Sequence, residues 1–179
     1  MRIEQAIASD VPAVVSTLQE AAQWLHSAGR PLWSAADYSQ ARIQRDVEAG
    51  AYWLARPGEG PPGEGADGLG VAGVMRLDLE DPQYWPEIAS GSSLYLHKLA
   101  VRRAWAGRGV STALLGFARE RARALHRDCL RLDCVADRQG LRTLYEGFGF
   151  ALHSEVDKGN WSVARYELAI GRESGCARA

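Results

Sequence analysis

The chain has 179 residues, of which 46% are hydrophobic and 24% are charged, and its formal net charge is −1. These values predict one domain around one hydrophobic core and exclude a disordered chain. No run approaches the ~20 apolar residues of a membrane helix, the N-terminus does not resemble a signal peptide, and the charge does not favour nucleic acid as a partner. We therefore expect a soluble, cytoplasmic protein.

Metal-binding patterns are missing from the sequence. Its three cysteines, Cys129, Cys134 and Cys176, are an odd number without CxxC spacing, and its four histidines are scattered. We therefore predict no metal site, and we expect Cys129 and Cys134 to be reduced core residues. Only Lys98 and Lys158 are lysines among the 21 basic residues, a bias that indicates a GC-rich, bacterial genome.

Apolar periodicity predicts alternating helices and strands. In chain order the predicted elements are a strand over residues 3–6, a helix that opens at residues 9–12 and ends at Gly29, a helix over 37–48, strands over 51–55, 71–77 and 94–101, a helix over 110–126, a strand over 130–135, a helix over 139–147, and strands over 150–156 and 161–170. This order predicts an α/β (α+β) fold with a mixed, mostly antiparallel sheet flanked by helices on both faces.

Two segments interrupt this pattern. Residues 57–70 (PGEGPPGEGADGLG) lie between two predicted strands, and their glycines and prolines predict a flexible hairpin loop rather than a domain linker. Residues 171–179 should form a disordered tail. We therefore expect a single domain over residues 1–170.

The turn at residues 102–112 (RRAWAGRGVST) carries the clearest chemical signal. It connects the predicted strand 94–101 directly to a helix that begins at Val110. Backbone N–H groups in such a turn point in one direction and the helix dipole adds roughly half a positive charge, so the turn predicts an anion site. Gly107 and Gly109 would let a phosphate approach the backbone. Arg102, Arg103 and Arg108 would add charge for a third phosphate. A plain strand-to-helix turn is the alternative, whereas a dinucleotide-binding fold is disfavoured because GxGxxG is missing.

Residues 106–111 (AGRGVS) of this turn resemble the cofactor signature R/Q-x-x-G-x-G/A of the GNAT superfamily of N-acetyltransferases. Ala106 stands in the Arg/Gln place and Ser111 in the Gly/Ala place. A second segment, residues 144–150 (LYEGFGF), is similar to the family's Y-x-x-x-G-F segment. The resemblance covers most of the chain and implies that acetyl-coenzyme A (acetyl-CoA) is the acyl donor, with no metal.

The resemblance also implies roles for individual residues. Tyr145 is expected to stabilise the departing thiolate, with a core tyrosine as the alternative. His97 is expected to accept the proton of the amine, since an amine with a pKa near 10 is only ~0.1% neutral at pH 7. A histidine that only packs beside the cofactor is the alternative. The implied cofactor-binding residues are Leu99, Ala100, Val101, Ala106, Gly107, Arg108, Gly109, Val110, Ser111, Thr112, Arg138 and Tyr145.

The residues that bind the amine acceptor are indicated less clearly by the sequence. Trp33, Tyr84 and Trp85 can line an amine pocket by cation–π contact, and Asp81 or Asp133 can orient an ammonium group. Residues that only anchor loops, and acids that only face solvent, are the alternatives.

The predicted function is acetyl transfer to a primary amine of a small molecule or peptide in a ternary complex. A non-catalytic coenzyme A-binding sensor or partner module is the alternative. We expect neither nucleic acid nor membrane as a partner. Both a monomer and a homodimer are compatible with the sequence.

Overall fold

The computed structural model describes residues 1–30, 38–58 and 70–171. Trp33, most of the predicted loop over residues 57–70 and nearly all of the predicted tail therefore lie outside the described residues. The elements below belong to the described part of the chain.

The helices and strands follow each other in the predicted order. They are β1 (Arg2–Gln5), α1 (Val11–Ser27), α2 (Gln40–Glu48), β2 (Tyr52–Arg56), β3 (Gly73–Asp78), β4 (Ser93–Val101), α3 (Val110–Ala124), β5 (Cys129–Val135), α4 (Gln139–Phe148), β6 (Ala151–Asp157) and β7 (Ser162–Ala169). The strand order is β1-β2-β3-β4-β5-β7-β6. The β4–β5 pair is parallel, whereas β1–β2, β2–β3, β5–β7 and β6–β7 are antiparallel. The predicted fold class is confirmed.

The C-terminal ends of α3 and α4 differ from the predicted ends, and each helix is closed by a residue with a positive φ. Helix α3 ends at Ala124, two residues early, because His126 adopts a φ of 53°, in the left-handed region that closes a helix. Gly149, with a φ of 111°, ends α4 in the same way. None of the described helices is both long enough and apolar enough to cross a membrane.

The described residues fall into two compact units, and the first contains those within residues 1–30, 38–58, 70–76 and 98–114. Its core forms where the buried side of α1 packs with α2 and β2. Val11, Val14 and Leu18 recur at helical spacing on α1, and each is at most 2% exposed. The strand β2 pairs with β1 from Gln5↔Trp53 to Arg2↔Arg56.

Gly73 is required by a close backbone approach inside this unit. A Cβ at this position would lie 2.8 Å from the carbonyl oxygen of Ala100 and 3.0 Å from Cγ1 of Val110. Next to it, the Ala72 carbonyl accepts a hydrogen bond from the Arg102 N–H at 3.0 Å. These contacts fix the chain on both sides of the predicted anion-binding turn.

The second unit contains the described residues 77–97 and 115–171. Its central ladder pairs β5 with β7 from Cys129↔Ala169 to Val135↔Val163, and β6 pairs with β7 in a hairpin. Leu130, Leu132 and Tyr166 on these strands are at most 1% exposed. Cys134 is a free, buried thiol, as expected, but Cys129 is disulfide-bonded, so the prediction of a reduced residue is wrong for Cys129.

Candidate active site

The glycine turn has the backbone conformation that the sequence predicted. Gly107 and Gly109 have φ values of 74° and 77°, and a Cβ at either position would meet nothing within 4 Å. The positive φ, rather than a lack of space for a side chain, therefore favours glycine at both positions, and the surface above them is open. Ala113 donates the first helical hydrogen bond, to the Gly109 carbonyl at 3.0 Å. The N–H groups of residues 110–112 precede this bond, as in any helix N-terminus.

Arg102 anchors the turn and is not placed to add charge for a phosphate. Its guanidinium donates to Glu20 Oε2 at 2.9 Å and to Ser16 Oγ at 3.3 Å, and its side chain is only 5% exposed. The Arg103 backbone N–H donates to the other Glu20 oxygen at 2.7 Å. One carboxylate of α1 thus holds two successive residues of the turn.

Arg103 and Arg108 are exposed and lie against tryptophan rings. The Arg103 guanidinium is 4.2 Å from the ring centre of Trp24, and that of Arg108 is 5.4 Å from the ring centre of Trp105. Stacking of this kind orders a guanidinium at the surface. Both side chains can therefore offer positive charge beside the turn.

Strand β4 continues beyond its pairing with β5. Among the described residues, the β4–β5 ladder runs from Ser93↔Cys129 to Leu96↔Leu132, although β4 extends to Val101. Lys98 interrupts regular strand geometry with a φ of 53°. The predicted pantetheine-binding residues, Leu99, Ala100 and Val101, follow this irregularity.

His97 lies among three aspartates. Its Nε2 is 3.5 Å from Asp81 Oδ2 and 3.8 Å from Asp78 Oδ2, and its Nδ1 is 3.8 Å from Asp133 Oδ1. These distances are longer than ordinary hydrogen bonds, so the three contacts are mainly electrostatic. An imidazolium here would have a carboxylate beside each N–H. We call His97, Asp78, Asp81 and Asp133 the aspartate cup.

Strand pairing brings two members of the aspartate cup together. Leu96 and Leu132 are paired on the parallel strands β4 and β5, so the next residue on each strand, His97 and Asp133, are neighbours. Asp78 is the last residue of β3. Asp78 was not among the predicted site residues, because an acid at the end of a strand carries no local signal of function.

The loop after β3 places Asp81 and Tyr84. Asp81 Oδ1 accepts a hydrogen bond from the Tyr84 N–H at 3.1 Å, and the Trp85 N–H donates to the Asp81 carbonyl at 2.9 Å. Burial, with the negative charges of Asp133 and Asp81, raises the pKa of the Tyr84 phenol. Tyr84 therefore lies within electrostatic range of the aspartate cup and stays neutral.

Trp85 is buried and does not present an accessible face to a ligand. It is 1% exposed, and its ring packs against His153 and Tyr95 with ring-centre distances of 5.2 and 6.4 Å. The guanidinium of Arg165 lies 4.7 Å from its ring centre. This packing fits the alternative of a loop anchor, and a substrate role for Trp85 stays a prediction.

Tyr145 is buried on α4 and packs against other aromatic rings. It is 4% exposed, and its ring centre lies 6.0 Å from those of Phe150 and Tyr166. Burial, with Cys134 and Asp133 nearby, raises the pKa of its phenol above the ordinary value. A phenol in this setting keeps its proton and acts as a hydrogen-bond donor.

Arg138 stands at the N-cap of α4. Its Nε is 3.3 Å from Asp137 Oδ1, and its side chain is 10% exposed. Its backbone N–H donates to the Val135 carbonyl at 3.0 Å, so it fixes the link between β5 and α4. A contact with the pantetheine arm stays a prediction.

Known proteins resemble this chain along most of its length. Residues 18–150 match the Acetyltransferase (GNAT) family. The "Uncharacterized N-acetyltransferase YesJ" of Bacillus subtilis (strain 168) is 29% identical over 152 residues, which are 81% of this chain and 78% of that protein.

Solved structures share the fold. A GNAT-family acetyltransferase from Listeria monocytogenes superposes with a TM-score of 0.72 at 22% identity, over 93% of this chain and 94% of that one. YncA, a putative acetyltransferase from Salmonella typhimurium solved with its cofactor acetyl-CoA, has a TM-score of 0.66 at 16% identity, over 100% and 99% of the two chains. The family match spans well over half of the sequence, and the chain belongs to the GNAT family of acetyltransferases.

Proposed function

We propose that the protein transfers the acetyl group of acetyl-CoA to a primary amine of a small molecule or peptide, by direct attack in a ternary complex. Membership of the GNAT family supports acetyl transfer. The observation that carries the choice of an amine is the aspartate cup, in which an imidazole base is surrounded by carboxylates that attract an ammonium ion.

The glycine turn fits the pyrophosphate of the donor. Positive-φ glycines leave the backbone open, the first helical N–H groups follow directly, and two exposed arginines lie beside them. In this proposal the N–H groups of Gly107 and of residues 109–112 bind phosphate oxygens, while the Arg108 N–H donates to the Trp105 carbonyl at 3.3 Å, and Ser111 and Thr112 add hydroxyl donors. Leu99, Ala100 and Val101 bind the pantetheine amides as an added strand would. The relative solved with acetyl-CoA supports this choice of ligand.

His97 prepares the acceptor. An amine reaches the aspartate cup as an ammonium ion, attracted by the carboxylates, and the His97 imidazole takes one proton from its nitrogen. The carboxylates then stabilise the imidazolium through charge. Asp81 and Asp133 act as positioning residues in this step because they lie beside different nitrogens of the ring.

Tyr145 stabilises the leaving group. Acetyl-CoA supplies an acetyl thioester, whose C–S bond breaks as the C–N bond forms. Tyr145 donates a hydrogen bond to the sulfur as negative charge develops there. Because its pKa is raised, complete proton transfer from the phenol is uphill, and the thiolate takes its proton from the surroundings as it departs. The amide nitrogen loses its second proton to solvent.

A thiol-release assay tests this proposal. Purified protein is mixed with acetyl-CoA and a panel of primary amines, and free coenzyme A and the N-acetyl product are measured together. We expect amine-dependent release that yields one product molecule per thiol. Binding of acetyl-CoA without product from any amine would favour the coenzyme A-binding module.

A further inference from the structure

We propose that Asp81, His97 and Asp133 form a binding site for a divalent transition-metal ion of the Zn²⁺ type, and that a bound ion prevents His97 from acting as a base. One ligand atom from each of these residues lies within 4.8 Å of the other two. The three side chains come from a loop and two strands, so the site exists only in the folded chain.

The distances already approach those of a coordination sphere. In a tetrahedral site with metal–ligand bonds of about 2.1 Å, neighbouring ligand atoms lie about 3.4 Å apart. His97 Nε2 and Asp81 Oδ2 are 3.5 Å apart, close to that edge. Asp133 Oδ1 is 3.8 Å from the other ring nitrogen, and the three ligand atoms all lie within 4.8 Å of one another, so the proposal requires Asp133 to turn towards the ion.

Asp81 provides an independent observation that favours a cation at this site. Its side chain is 7% exposed, and its Oδ2 has no hydrogen-bond partner among the described residues. The other oxygen is held by the Tyr84 N–H, so the carboxylate is fixed with Oδ2 towards His97. A buried carboxylate oxygen left without a partner is costly, and a cation in the aspartate cup would satisfy it.

The donor set selects the class of ion. One imidazole and two carboxylates suit Zn²⁺ and similar ions, whereas Mg²⁺ and Ca²⁺ prefer oxygen ligands alone and Cu⁺ prefers sulfur. Three protein ligands leave one position for water. His97 and Asp133 are 21% and 17% exposed, so an ion can enter from solvent.

Calorimetric titration of the full chain with ZnCl2, after removal of metals with EDTA, tests the site. We expect one ion per chain, and Asp81→Asn and Asp133→Asn should each weaken binding about tenfold or more. Asp128→Asn is the matched control, since Asp128 is exposed and lies outside the cup. His97→Gln adds a third variant in case Asp81→Asn fails to fold, because Asp81 also holds its loop. Absence of Zn²⁺ binding, or equal binding by wild type and all folded cup variants, would overturn the site.

The claim that bound Zn²⁺ inhibits acetyl transfer rests on the proposed function, and a second measurement tests it. Zn²⁺ should lower formation of the N-acetyl product, and raising the amine concentration should restore it, because ion and ammonium compete for the same carboxylates. Product is measured by mass spectrometry, since Zn²⁺ also binds the released thiol. Acetylation that is insensitive to Zn²⁺ at saturating concentration would refute the inhibitory claim. Zn²⁺ binding without acetylation of any amine would uphold the site and count against the proposed function.

Discussion

The Nδ1 atom of His97 lies 3.8 Å from Oδ1 of Asp133, because each residue directly follows a paired leucine on adjacent parallel strands. This relationship ties the candidate base to the sheet rather than to a mobile loop. Side chains held by strands keep their mutual geometry more closely than side chains on loops. The proposed proton acceptor and its carboxylate neighbour are therefore positioned before any ligand binds.

Removal of the Tyr145 hydroxyl should affect turnover more than binding. Tyr145→Phe keeps the ring that packs against Phe150 and Tyr166. We expect kcat to fall by about one to three orders of magnitude, with acetyl-CoA affinity nearly unchanged, because the hydrogen bond forms only as sulfur becomes negative. Steady-state kinetics and calorimetry give the two values.

Tyr166→Phe is the matched control for that variant. Tyr166 is a neighbouring buried tyrosine whose hydroxyl donates to Glu146 Oε1 at 2.7 Å. Its removal should cost about 1 kcal/mol of stability and leave kcat near the wild-type value. Equal loss of kcat in both variants would mean that the Tyr145 hydroxyl has no specific role at the leaving sulfur.

Gly109→Val tests the phosphate-binding turn. Valine is strained at a φ of 77°, and its side chain would cover the backbone that a phosphate must approach. We expect the variant to lose most of the thermal stabilisation that acetyl-CoA gives, which for the wild type is about 2.7 kcal/mol at a hundredfold excess over Kd.

Gly116→Ala serves as its control. Gly116 lies inside α3, and a Cβ there would meet nothing within 4 Å. This variant should fold and respond to acetyl-CoA like the wild type. A folded Gly109→Val protein with the full ligand-induced shift would show that the phosphates bind elsewhere.

Arg102 should prove to be a structural residue. Arg102→Ala removes a nearly buried guanidinium and leaves Glu20 without its main partner. We expect the free energy of unfolding to fall by about 2 kcal/mol in urea titrations, because charge-assisted hydrogen bonds of a nearly buried guanidinium are lost while the partly exposed Glu20 is still solvated. Arg103→Ala, which removes an exposed side chain stacked on Trp24, should cost less than about 1 kcal/mol. Similar losses in the two variants would contradict this assignment.

Cys134 should make the fold less stable in alkali. Burial first, and then the charge of Asp133, raises the pKa of its thiol from about 9 to about 11. Below pH ~9 the thiol is neutral in both states, and as pH rises further the unfolded thiol ionises while the folded one does not. The stabilising contribution is thus present below pH ~9 and lost as pH rises towards ~11.

Urea unfolding of wild type and Cys134→Ala at about pH 7.5 and about pH 10.5 measures this effect. The free energy of unfolding should fall more steeply with pH in the wild type than in the variant. Equal slopes would mean that Cys134 ionises alike in both states.

The sequence predicted the fold well because its signals are local. The spacing of apolar residues predicted the helices, and glycines predicted the turn at residues 107–109 and the end of α4. The aspartate cup could not be predicted as a cluster, since Asp78, Asp81, His97 and Asp133 are brought together only by strand pairing and by one loop. Arg102 looked like a phosphate ligand for the same reason, as its pairing with Glu20 depends on long-range packing.

The pH dependence of His97→Gln tests the central claim most directly. Glutamine keeps most of the volume but cannot accept a proton near neutral pH. Activity of the variant should be far below wild type at pH ~7 and should approach it towards pH ~10, where about half of an ordinary amine is already neutral. Acetyl-CoA affinity should stay unchanged. If His97→Gln matches the wild type across this whole range, His97 is not the base, and the proposed proton path through the aspartate cup is contradicted.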